Sequence, residues 1–204
     1  MKALVTSFDA FGGDRINASH AAVSRLPACV GGMTVVSAQL PTSFSRAAPK
    51  LRALIAREQP DIVLCVGLAA DRSAISIERV AVNLDDARLP DNDGAQPLDR
   101  PVVRGGPAAY FAALPVRKIV TRLTREKIPC ELSMSAGTFV CNHVFYVLMH
   151  LAAQRKQRFI AGFVHVPDLP RAGNPGAMPL EQMVRGLGLV LDVVRKAKTT
   201  TERK

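Results

Sequence analysis

Ser133-Met134-Ser135-Ala136-Gly137-Thr138-Phe139-Val140-Cys141-Asn142-His143 reads as the end of a strand, a glycine-containing turn and the opening of a helix that continues to Gln154. The same succession recurs on both sides of it. Short apolar, β-branched runs at Ala3–Thr6, Met33–Ala38, Asp61–Val66, Ile75–Val82, Leu132–Ser135 and Phe159–Val166 have strand length and composition. Between them, Ser19–Leu26, Leu51–Glu58, Val116–Lys127, Val140–Gln154 and Leu180–Val194 carry helical patterns, with Pro115 and Pro179 placed for first turns and Gly31-Gly32 closing an earlier element. In the last helix, Leu180, Met183, Val184, Leu187, Leu191 and Val194 form one apolar stripe. Strands alternating with helices predict an α/β fold, a single-domain α/β/α sandwich on a mostly parallel or mixed central sheet. Catalytic loops then gather at the carboxyl ends of strands.

The chain has 204 residues, 48% of them hydrophobic, enough to bury roughly 70% of its unfolded surface as one domain. No repeat or low-complexity linker divides it; the Gly/Pro clusters at 105–107 and 173–179 read as loops, and 199–204 as a flexible tail. The longest nearly apolar stretch, Val144–Ala153, is interrupted by His150 and is far shorter than the ~20 residues of a membrane span. The apolar run after Met1 is too short for a signal-peptide core, so a cytoplasmic address is expected. Four scattered cysteines, Cys29, Cys65, Cys130 and Cys141, form no Cys-x-x-Cys pair and are expected as reduced thiols.

Charge is uneven. Residues 1–100 carry 11 Lys/Arg against 11 Asp/Glu and residues 101–204 carry 16 against 6, so the net charge of +10 belongs to the second half. That asymmetry raises a rival reading, a non-catalytic basic module that binds nucleic acid or an acidic partner. Its bases are Arg117, Lys118, Arg122, Arg125 and Lys127 on one helix, Arg155, Lys156 and Arg158 after another, and the tail from Arg195 to Lys204. With no Trp and two Tyr, the chain lacks the stacking platform of single-strand binders, and solvated helix faces account for the charge more simply.

The quoted stretch places Cys141 in a helix's first turn, where unpaired amides and the positive dipole end favour a thiolate. A free cysteine is, taken alone, more often a small buried apolar residue, and Cys29, Cys65 and Cys130 fit that role. A nucleophile needs a base. His143, two residues along the same helix, points about 200° away and cannot share a proton with Cys141. His20 and His150 sit within helical patterns, whereas His165 closes the strand Phe159–Val166 at its carboxyl end. Glu78 interrupts the apolar run Ala74–Val82, where an unpaired carboxylate is expensive. It either orients His165 as a third catalytic member or forms an internal ion pair with Arg79 or Arg88. No His-Glu-x-x-His or Cys/His cluster points to a metal or other cofactor.

Four separated blocks together resemble a known family. They are Val5–Gly13 with Ile16-Asn17; Ile77–Asn83 continuing through Asp86-Ala87-Arg88 to Pro90-Asp91-Asn92 and Gln96-Pro97; Ala136–His143; and Phe163–Pro167 with Leu169-Pro170. In order and spacing they are similar to the pyroglutamyl peptidases of type I, the pyrrolidone-carboxylate peptidases of cysteine peptidase family C15. The resemblance implies an α/β/α exopeptidase that removes an amino-terminal pyroglutamyl residue from peptides, without metal or cofactor, and homo-oligomeric assembly. It makes Cys141 the nucleophile, His165 the general base and acid, and Glu78 the orienting member. Phe8 and Phe11 match the aromatics that hold the lactam ring, and Phe139 and Val140 the pocket wall. Arg88 matches an arginine near the site, with an oxyanion role and a structural one both open. The chain departs from the family pattern at Asp9-Ala10, Ala18, Leu68, Ala70-Asp71 and Asp168, positions that bear on loop stiffness and contacts more than on reaction type.

Overall fold

The amino-terminal apolar run forms β1 (Lys2–Phe8), followed by α1 (Ala18–Val23), β2 (Cys29–Val30), β3 (Met33–Leu40), α2 (Ala47–Glu58) and β4 (Ile62–Leu68). Then come β5 (Ile75–Glu78), β6 (Val80–Val82), β7 (Ala109–Phe111), α3 (Val116–Arg125), β8 (Cys130–Ser133), α4 (Val140–Ala153), β9 (Ile160–Val166) and α5 (Leu180–Glu202). The computed structural model describes residues 1–13, 15–154, 159–170 and 177–202. Arg155, Lys156 and Arg158 of the expected basic cluster, residues 173–176 of the expected loop, and Arg203 and Lys204 of the expected tail lie outside the described residues.

Seven strands form one sheet in the order β2-β3-β1-β4-β9-β5-β8. Neighbours run parallel except at β2–β3 and β9–β5, so the sheet is mixed. Helices α1, α3 and α5 pack on one face and α2 and α4 on the other, the three-layer arrangement expected from the alternating pattern. Because β1, β4 and β9 are covered on both faces, they read as near-continuous apolar runs rather than alternating ones. The stripe of α5 is buried through Met183, Leu187, Leu191 and Val194, and each such side chain contributes about 1.5–3 kcal/mol.

Several expected boundaries move. The run Ile75–Val82 is two strands, not one. At Arg79 the backbone N–H donates to the Ser133 carbonyl (2.8 Å) while its carbonyl accepts from Ala112 N–H (2.9 Å). The chain thereby leaves the main sheet, and β6 pairs antiparallel with β7 in a separate two-stranded sheet. Gly31-Gly32 joins β2 to β3 as a two-residue hairpin with φ of 55° and 79°, a left-handed pair that glycine adopts at no steric cost. The last helix does not stop at Val194. It continues to Glu202, with Thr199 and Thr200 hydroxyls bonded to the Arg195 and Lys196 carbonyls, so the expected tail begins inside it.

Candidate active site

Strand β1 pairs with β4 only from Ala3↔Ile62 to Thr6↔Cys65, after which the two diverge. The Phe8 amide turns away to the Ser19 hydroxyl (3.2 Å). Into the opening between their carboxyl ends comes the start of α4, and the result is a cleft of about 650 Å³ bordered by Phe8, Phe11, Leu68, Phe139, Cys141 and His165. The cleft lies where an α/β sheet of this kind presents its site.

Cys141 is the second residue of α4 and half-buried. No side chain caps this helix start, so its first-turn amides are not taken by a cap. The adjacent Asn142 anchors the helix: its fully buried amide accepts from Val82 N–H (3.0 Å) and donates to the Val82 and Leu84 carbonyls (2.9 and 3.0 Å). His165 arrives on β9, and Gly67 on the neighbouring strand leaves room for both groups. A Cβ at Gly67 would lie 2.9 Å from Cys141 Sγ, 2.9 Å from Phe163 Cζ and 3.0 Å from His165 Cδ2. Thiol and imidazole therefore converge over one missing side chain.

Glu78 is fully buried behind His165 and reaches it from β5, a strand running opposite to β9. His165 Nδ1 bonds Glu78 Oε1 at 2.8 Å, which leaves Nε2 for the cleft. The two alternatives open in the sequence, orienting partner and ion pair, meet on this one oxygen. The ion-pair partner is neither Arg79 nor Arg88: Arg72 Nη1 donates to Glu78 Oε1 at 2.7 Å. Arg79 instead lies over the Phe111 ring (4.8 Å), and Arg88 is exposed at the cleft. Burial alone would raise the Glu78 carboxyl. The hydrogen bond and charge of His165, with Ser133 and Arg72 adding to them, outweigh it and hold the carboxyl below its ordinary value. The thiol goes the other way, because burial and then the charge of Glu78 push Cys141 up to about 12. Burial thus opposes the helix-start preference for a thiolate.

Phe8, Phe11, Phe139 and Arg88 all border the cleft. Val140 does not. It is fully buried in the core at the start of α4. Phe11 packs on Phe139 with centroids 5.0 Å apart, Phe44 meets Phe139 edge-on at 5.3 Å, and Phe163 lies 4.8 Å from the His165 ring. The loop bearing Phe11 is held by Asp9, whose carboxylate accepts from Thr42 N–H (2.7 Å) and the Asn92 amide (3.2 Å); Asn92 also donates to the Ala10 carbonyl (2.8 Å).

The other histidines point elsewhere. His143 Nδ1 pairs with Asp85 (2.9 Å), His150 with the Tyr110 hydroxyl (2.8 Å) and His20 with the Ser7 hydroxyl (3.3 Å). Cys65 is buried and Cys130 half-buried, but Cys29 is exposed on β2, contrary to its expected burial. The bases Arg117, Lys118 and Arg125 lie along α3, where Arg122 pairs with Glu126 at 3.1 Å. Among the described residues, no three His, Cys, Asp or Glu side chains gather as metal ligands, and no helix is long and apolar enough to cross a membrane. Sequence reading missed Arg72 and Thr42 at the cleft, since neither sits in a pattern that marks it before the chain is folded; Asn17 and Leu68, which also border it, enter that reading only as part of the first block and as a departure, with no site role.

Comparison with known proteins shows the family. The family model of pyroglutamyl peptidase matches residues 1–197. The chain is 48% identical over 200 residues to the pyrrolidone-carboxylate peptidase of Gloeobacter violaceus, covering 96% of this chain and 97% of that one. It is 47% identical over 192 residues to that of Levilactobacillus brevis, covering 92% and 94%. Among solved structures, pyroglutamyl peptidase I of Bacillus amyloliquefaciens superposes with a TM-score of 0.91 at 41% identity, covering 95% of this chain and 96% of that one. A variant pyrrolidone carboxyl peptidase from Pyrococcus furiosus gives 0.92 at 38%, covering 97% and 99%. With a family model matched over nearly its whole length and relatives this similar from end to end, the chain belongs to the pyroglutamyl peptidase family, C15.

Proposed function

We propose that this chain is a cysteine exopeptidase that removes an amino-terminal pyroglutamyl residue from peptides, with Cys141 as nucleophile, His165 as base and acid, and Glu78 as orienting carboxylate. The observation that carries the assignment is the 2.8 Å bond from His165 Nδ1 to the buried Glu78, which turns Nε2 toward the cleft that Cys141 borders. Nε2 takes the thiol proton as sulfur attacks the pyroglutamyl carbonyl. Glu78 stabilises the imidazolium that forms. The first-turn amides of α4 point at the developing oxyanion, and Arg88 stands at the same cleft. The imidazolium then protonates the leaving amine as the C–N bond breaks, giving a thioester. Water, deprotonated by His165, cleaves that thioester and releases pyroglutamate and the free thiol.

The ring-binding groups follow from strand geometry. Ala69 N–H bonds the Val166 carbonyl of β9 (3.0 Å). Leu68, one residue earlier on an alternating strand, therefore directs its own N–H and C=O to the opposite side, where β1 has already diverged. These main-chain groups offer one donor and one acceptor to the lactam, whatever side chain stands at position 68. Phe8 and Phe11 supply the apolar contact. The peptide substrate needs no membrane or nucleic acid, and we place the enzyme in the cytoplasm as a homo-oligomer.

Hydrolysis of a pyroglutamyl chromogenic amide, abolished by a thiol alkylator, tests the reading. Salt-sensitive retention on immobilised DNA without amide hydrolysis would support the basic-module reading instead.

Glu78→Gln keeps an oxygen for both donors but removes the charge. Turnover is expected to fall about 10²-fold with KM little changed, because the imidazolium loses its stabilising charge. Melting temperature should fall as well, since Arg72 loses its buried partner. Normal specific activity in the folded fraction would reduce Glu78 to a structural ion-pair partner. Gly67→Ala forces Cys141, Phe163 or His165 to shift by several tenths of an ångström. A fall in kcat of up to about 10²-fold is expected, and wild-type kcat in a folded Gly67→Ala enzyme would show that thiol and imidazole do not meet over this residue.

A further inference from the structure

Arg72 sits in the connection after β4, where its N–H closes a turn on the Ala69 carbonyl (3.1 Å). Its guanidinium reaches two acceptors in different directions. Nη1 donates to Glu78 Oε1 at 2.7 Å, the same oxygen that meets His165 Nδ1 at 2.8 Å, and Nη2 donates to the Ser135 carbonyl at 2.9 Å. Ser135 lies in the segment that leads from β8 to the helix bearing Cys141. Arg72 also borders the cleft itself.

We propose that Arg72 is a positioning residue of the relay: it fixes the shared oxygen of Glu78, ties it to the segment leading to Cys141, and tunes the pH at which His165 takes up its proton. The proposal rests on the assignment of Cys141 and His165 as nucleophile and base.

Two donors on one oxygen stop the carboxylate from rotating away from the imidazole, and the second arm of the fork joins that carboxylate to the nucleophile's approach segment. Lysine carries the charge but cannot hold two acceptors in a fixed planar fork. Charge has a separate effect. A guanidinium sharing an acceptor with His165 disfavours the imidazolium and offsets part of the bias from Glu78 toward the protonated ring. His165 is thereby oriented by a carboxylate oxygen that it shares with a guanidinium. Among the described residues, the other titratable groups on this side of the fold are Cys141 from α4 and Cys65 lower on β4, with Asp71 and Arg88 at the cleft and Asp168 just beyond β9. Only Arg72 among these hydrogen-bonds the oxygen that holds His165.

The test compares kcat, KM and the pH profile of kcat/KM for a pyroglutamyl amide in the wild type, Arg72→Gln and Arg72→Lys, with melting temperatures on the same preparations. For Arg72→Gln, kcat should fall about 10- to 100-fold with KM changed by no more than about threefold. Its acid limb should move up by about 0.5–1 pH unit, because loss of a nearby positive charge favours the imidazolium. Arg72→Lys should hold the limb at its wild-type position and recover part of kcat. An unmoved limb in a folded Arg72→Gln enzyme overturns the electrostatic role, and activity that merely follows the folded fraction reduces Arg72 to a structural residue. Should Arg72→Gln not fold, Arg72→Lys decides alone, since wild-type kcat without the fork overturns the positioning role. A wild-type enzyme that hydrolyses no pyroglutamyl amide, or does so after alkylation of Cys141, overturns the nucleophile assignment itself, and the proposal falls with it before any Arg72 variant is made.

Discussion

Cys141→Ser is expected to lower kcat by about 10⁴-fold or more while the melting temperature stays within a few degrees of wild type. The thiol is already a poor acid here, pushed up to about 12 by burial and the charge of Glu78. In the proposed reaction, attack is accompanied by proton transfer to His165. A hydroxyl is a weaker acid still and gives a less nucleophilic atom on a shorter bond, so the same base cannot activate it comparably. The fold should tolerate the change, since Cys141 borders the cleft and its helix is held by Asn142. Cys65→Ser supplies the control. Cys65 is fully buried beneath the cleft, so a hydroxyl there should cost about 1–2 kcal/mol of stability and leave turnover per folded molecule near normal. A Cys141→Ser preparation free of wild-type enzyme that kept even a tenth of the rate would take the nucleophile's role away from this residue.

Much of this site was legible before folding, and the parts that were not share a cause. The exclusion of His143 and the place of His165 at a strand's carboxyl end are local features of helix and strand, whereas the roles of Cys141 and His165 come only with the family resemblance. The layered architecture follows from the alternation of strand and helix patterns, which is also local. Glu78 could be marked as anomalous because a carboxylate in an apolar strand is expensive, and His165 could be named as one partner, yet the cation could not. Arg79 is its neighbour in sequence, but successive strand residues point to opposite faces, and Arg72 reaches Glu78 only because the chain after β4 folds back. The break at Arg79 is invisible for a similar reason. Ile75–Val82 has the same apolar character whether it remains in one sheet or crosses to another, and only the hydrogen bonds to Ser133 and Ala112 decide. Val140 was misplaced through its neighbours: Phe139 and Cys141 border the cleft, while the residue between them turns into the core.

Pyroglutamyl substrates should be preferred over prolyl ones by about 10⁴-fold or more in kcat/KM, although the two rings are nearly the same size. Shape discriminates little, because Phe8 and Phe11 offer apolar contact that either five-membered ring satisfies. Polarity decides. The lactam is neutral and brings one N–H and one carbonyl, which match the acceptor and donor that the Leu68 main chain directs into the opening between β1 and β4. Proline brings no ring carbonyl, so the main-chain N–H would be buried unpaired at about 1–3 kcal/mol. Its secondary amine is also charged, and moving that charge against aromatic rings means losing its hydration with no buried carboxylate among the described residues bordering the cleft to replace it. Asp71 borders the cleft but is exposed, so it can offset little of that loss. If the main chain performs this selection, as proposed, Leu68→Gln or Leu68→Ala should leave the ratio within about threefold of wild type, whereas a site that recognised the ring through side chain 68 would lose its preference. The measurement is the ratio of kcat/KM for matched pyroglutamyl and prolyl amides, and a ratio within about tenfold would mean that the cleft selects by shape and that the Leu68 main chain does not pair with the ring.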